Sequence, residues 1–146
     1  MGPGWRRCGR DREEDGILTA LEVSEMELPK LELVVLSACE TGLGKGAGGE
    51  GLLGLQRAFQ VAGARSVVAS LWQVPDEATR MLMVRFYENL WDRKLPKLEA
   101  LRQAQLWMLK EGGKRGLQRE PPEGQAPAGR LPPYYWAGFV LSGDWR

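Results

Sequence analysis

Apolar residues fall along this chain either in short continuous runs or at helical spacing. Leu33, Val34, Val35 and Leu36 form a continuous apolar run, which predicts a strand over 31–39 buried on both faces. Leu52, Leu53, Leu55, Ala58, Phe59 and Ala62 then recur at helical spacing, and Gly63 closes that helix. A Val-rich run predicts a second strand over 66–71. Strand, crossover helix and strand make a right-handed βαβ unit with parallel strands. Met81, Leu82, Val84, Arg85, Phe86, Leu90 and Trp91 follow a 3.6-residue period, and so do Ala100, Leu101, Ala104, Leu106, Trp107 and Met108. They predict two further helices, the second over 96–110 and ended by Gly112 and Gly113. Upstream, Thr19 followed three residues on by Glu22 predicts a capping box for a short helix over 20–26, which Pro29 stops. The aromatic and β-branched stretch 134–141 predicts a final strand.

Between these blocks the pattern lapses. Residues 1–14 are rich in Gly, Arg and acidic side chains and are expected to form a disordered lead-in. Residues 112–133 are dense in Gly, Pro, Arg and Glu and are expected to form a mobile loop. The 146 residues suffice for one domain with a core. A net charge of +1 gives no electrostatic case for nucleic acid or an anionic membrane. No apolar run is long enough to span a bilayer, and the basic N-terminus lacks the apolar region of a signal peptide. Cys8 and Cys39 sit in unlike contexts and do not read as a disulfide framework, so a reducing, cytoplasmic setting is expected.

The candidate chemistry lies where the first strand runs out. Cys39 closes it, and a glycine-punctuated loop leads through Glu50 into the crossover helix. Asp76 follows the second strand. Parallel strands deliver these ends to one edge, where open α/β sheets bind ligands. The N-terminus of the crossover helix offers backbone N–H groups to an oxyanion and favours a thiolate nearby. The structural reading of Cys39 comes first on composition alone, because free cysteines are among the most buried residues. Asp76 reads equally well as a helix cap. The glycine loop is not a phosphate loop, since Lys45 is followed by Gly46 instead of Ser or Thr. Cys8 reads as an incidental thiol and a poor resolving partner for redox sensing. The chain contains no histidine, the usual base for a cysteine nucleophile.

Four segments taken together are more specific: LSACETG at 36–42, GEGLLGLQRAF at 49–59, AGARSVVASLW at 62–72 and YYWAGFVLSGDW at 134–145. From residue 15 onward the chain resembles a CHAT domain, of the caspase–separase–gingipain clan of cysteine peptidases. The resemblance implies a caspase-like three-layer α/β/α fold with a mostly parallel sheet, here N-terminally incomplete. It implies a His–Cys dyad with Cys39 as nucleophile, and no cofactor or metal. The family histidine would fall before Asp15, where the chain reads RRCGRDREE, so the resemblance implies little or no peptidase activity for this chain. Asp76 resembles an acidic position lining the specificity pocket, which implies a peptide or protein substrate with a basic residue before the scissile bond. Glu50 is a weaker candidate for that pocket. Tetratricopeptide-repeat regions are partners the family implies. The other reading is a non-enzymatic pseudopeptidase or protein-interaction module of the same fold. A caspase-like sheet without its first strands has an open edge, so poor solubility or self-association is expected.

Overall fold

A computed structural model describes residues 18–37, 50–115, 117 and 130–146. Cys39, the proposed lead-in 1–14 and most of the 112–133 segment lie outside the described residues.

The first helix, α1 (Ala20–Ser24), begins as the sequence predicts. The Thr19 hydroxyl accepts from the Glu22 amide at 3.3 Å, and the Glu22 carboxylate accepts from the Thr19 amide at 2.8 Å. Two amides that helix geometry leaves without partners are thereby satisfied. Strand β1 (Val34–Leu36) is shorter than the predicted 31–39, and its residues are only half-buried. Helix α2 (Glu50–Ala62) ends at Gly63, whose φ of +114° suits glycine. The next strand, β2 (Ser66–Ser70), is buried at every position. It pairs in parallel with β1, with Val34, Val35 and Leu36 opposite Val67, Val68 and Ala69.

Helix α3 (Asp76–Tyr87) departs from the expected pattern at its end. The chain widens into a π-helical turn over Glu88–Asp92 before α4 (Lys97–Glu111) begins. Asn89 lies in that turn, fully buried. Its side-chain amide donates to the Ala100 carbonyl of α4 at 3.0 Å, and its own carbonyl accepts from Leu95 at 3.0 Å. Gly112–Arg115 adds one 3-10 turn to α4, and Leu117 and Leu131 are buried beside it.

The predicted final strand 134–141 is corrected. Pro133–Trp136 forms a short helix, α5, and strand β3 (Phe139–Gly143) starts after it. The ring of Pro133 sets the backbone angle of a first helical turn at no cost in lost hydrogen bonds. That local geometry overrides the β-propensity of the aromatic residues that follow. β3 pairs antiparallel with β2. The sheet, in the order β1-β2-β3, is therefore mixed, with one parallel and one antiparallel pair.

Among the described residues, two separate clusters hold this α/β fold. Val68 of β2 and Phe139 of β3 join Val74, Ala78, Met81, Leu82 and Phe86 around α3 with Ala100, Leu101, Ala104 and Met108 of α4. Leu33, Val35 and Leu141 pack on the same cluster, as strand alternation requires. Val23, Ala58 and Ala62 form a smaller cluster where α1 lies on α2. Helix α2 in turn lies against β2.

Candidate functional site

The parallel pairing of β1 and β2 brings their C-terminal ends to one edge of the sheet. Ser37, just past β1, is the last described residue before the segment that holds Cys39. Glu50 is the first residue of α2, at the positive end of the helix dipole.

Asp76 is the first residue of α3, exposed, with Glu77 beside it in the first turn. The cap position is taken by Pro75, and no side chain caps the helix. Among the described residues the Asp76 carboxylate has no hydrogen-bond or ion-pair partner, which leaves it available to a cation. Glu77 differs: Arg80 grips it through two hydrogen bonds of 2.9 and 2.6 Å. Those bonds hold the Glu77 carboxyl below its ordinary pKa.

The loop between β2 and Asp76 is fastened at several points. The Leu71 amide donates to the Gly138 carbonyl at 2.7 Å. The Trp72 indole N–H donates to the Tyr134 carbonyl at 2.9 Å. Val74 is buried in the α3–α4 core. The Thr79 amide donates to the Pro75 carbonyl at 2.9 Å. Periodicity assigned no role to Trp72 or Gly138. The quoted motifs around them were the signal, but only the fold shows that the two motifs meet.

The model of the family described as "CHAT domain" matches residues 7–144. The chain belongs to the CHAT domain family. That family is related to caspase-like peptidases. The CHAT chain is also 40% identical to human tetratricopeptide repeat protein 28 over 74 residues, which is 51% of this chain. The mouse protein of the same name is 39% identical over 74 residues. The chain spans about 3% of the length of these curated relatives. No solved structure matches the chain significantly.

The described part of the CHAT chain also carries an open groove of about 740 Å3 beside β1. Leu33, Val35, Tyr87, Leu90 and Trp91 line it, together with Glu32 and Lys97. Asp76 is not part of it, so the groove and the candidate site are distinct. Tyr87 stacks on Trp91 with ring centroids 4.6 Å apart, and partial burial raises the pKa of its phenol. Among the described residues there is no cluster of His, Cys, Asp and Glu able to hold a metal ion. No described helix is long and apolar enough to cross a membrane.

Proposed function

We propose that this chain is a CHAT-type cysteine endopeptidase domain in which Cys39 is the nucleophile and Asp76 receives a basic substrate side chain. The observation that carries the proposal is the parallel β1–β2 pairing, which sends the segment holding Cys39 and the loop leading to Asp76 from the same sheet edge. The exposed Asp76 carboxylate, without a partner among the described residues, supports the choice of a basic residue. Glu50 is a second acidic group for the same pocket. The Cys39 thiolate would attack the peptide carbonyl carbon, and the amides at the start of α2 would hold the resulting oxyanion.

The step that fails is proton transfer. A base must take the thiol proton and return it to the leaving amine. With no histidine among the 146 residues, that base has to come from outside them. The same absence favours the second reading, a pseudopeptidase or protein-interaction module that binds a peptide without cutting it. In both readings the domain is the caspase-like three-layer α/β/α type, with a mostly parallel sheet once strands are added beyond β1. Residues 15–146 form the body of that domain. It works in the cytoplasm, alongside tetratricopeptide-repeat regions, on protein or peptide substrates.

Fluorogenic peptides ending in arginine or lysine test the catalytic claim. The purified chain is expected to release no fluorophore. Turnover that vanishes in Cys39→Ala would show that the chain finds a base of its own and would overturn the claim of inactivity.

A further inference from the structure

The two motifs that meet across the end of the sheet have no part in the proposed chemistry, yet the contact between them is exacting. Gly138 faces residues 72–74. A methyl group on its Cα would come within 2.7 Å of Val74 Cγ2 and 3.2 Å of the Trp72 ring. Val74 cannot yield easily. It is β-branched, 7% exposed and packed into the α3–α4 core. A side chain at position 138 therefore displaces the loop that carries Asp76 at its far end. The backbone bond from Leu71 to Gly138 and the indole bond from Trp72 to Tyr134 fix the same loop from two further directions.

We propose that Gly138 and Trp72 are positioning residues for the Asp76 carboxylate. They hold residues 71–75 in the one placement that presents Asp76 to a cationic side chain. The inference rests on the reading of Asp76 as the acceptor of a basic residue. It adds how the carboxylate is aimed: by contact with the segment 134–138, which lies more than 60 residues away in sequence. A carboxylate on a loosely held loop still attracts a cation, but it loses the fixed geometry that gives a charged hydrogen bond its strength.

The test uses the 146-residue chain and needs no catalysis. A blocked tetrapeptide ending in arginine amide and its neutral twin ending in citrulline are titrated by calorimetry. The wild-type chain is expected to prefer the arginine peptide by about fivefold, the scale of one solvent-facing ion pair. Asp76→Asn is expected to erase that preference. Gly138→Ala and Trp72→Phe are expected to reduce it to about twofold or less, on the same scale. Adding Val74→Ala to Gly138→Ala removes the methyl that collides and is expected to restore the preference. A merely structural role would not produce this charge-specific loss and rescue. Should Gly138→Ala fail to fold, Trp72→Phe carries the test, since it leaves an aromatic ring in the loop and removes the N–H donor together with the smaller ring of the indole.

Wild-type preference retained in the Trp72→Phe chain and in a folded Gly138→Ala chain, with loss in Asp76→Asn, overturns the positioning role and leaves the Asp76 reading standing. No preference in the wild type, or full preference in Asp76→Asn, overturns the Asp76 reading and the positioning role with it.

Discussion

The cluster around α3 and α4 and the cluster between α1 and α2 are built on different scales. The first buries Phe86, Leu82, Met108, Leu131 and Phe139, drawn from two long helices, one strand and the segment before α5. The second buries Val23, Ala58 and Ala62, with Leu28, Leu55 and Phe59 partly covering them. Apolar area removed from water sets the stabilisation, so the α3–α4 side carries the fold. The α1–α2 side contributes little of its own, yet α2 leads out of the segment that holds Cys39. The strands show the same contrast. Among the described residues β2 has a neighbour on each side and is fully buried, whereas β1 has one and is half-buried, although both are apolar runs. Burial here follows from the number of neighbours a strand has, and not from its composition.

The sharpest way to break this contrast is to empty each cluster in turn. Phe86→Ala is expected to cost about 3–5 kcal/mol, because it removes a fully buried ring from the larger cluster. Chemical denaturation should show a large fall in midpoint or a chain that no longer folds cooperatively. Val23→Ala deletes two methyl groups from the smaller cluster and is expected to cost about 1.5 kcal/mol. A loss from Val23→Ala as large as that from Phe86→Ala would mean that α1 and α2 are as central as the other face.

The smallest effect concerns pH. Burial raises the Tyr87 phenol pKa above its unfolded value. Its contribution to stability is fully present below that unfolded value, about 10, and is lost as pH rises through the higher folded value. Tyr87→Phe is therefore expected to flatten the fall in stability on the alkaline side, followed by melting temperature between neutral and strongly alkaline pH. An unchanged slope would separate Tyr87 from alkaline unfolding.

Local signals in the sequence translated well. Thr19 with Glu22 marked the start of α1, and Gly63 marked the end of α2, since each feature acts within a few residues. β2 and α4 matched the apolar run and the periodicity that announced them to within a residue, and α2 begins two residues before its first periodic position, Leu52. What failed depended on distant parts of the chain. The π turn at Glu88–Asp92 accompanies the bond from Asn89 to Ala100, eleven residues away, which no local pattern announces. The direction of β3 is set by how the chain returns after α4, and its start was hidden because Pro133 makes a helical turn out of residues with β-propensity. Of the candidate site, the place of Asp76 just past β2 and the shared edge of β1 and β2 were legible. The meeting of Trp72 with Tyr134 and of Gly138 with Val74 was not, because the motifs involved lie 62 and 64 residues apart.

Asn89 has a consequence for how the molecule opens. Its side chain bonds to α4 and its backbone accepts from the residue that leads into α4, so the π turn that follows α3 cannot unwind while α4 stays in place. The two helices and their connection are thereby fused into a single cooperative opening unit. The amides of Leu95 and Ala100 should exchange with solvent deuterium as slowly as those in the middle of α3. A connection that would ordinarily fray first becomes one of the last parts of the chain to admit water.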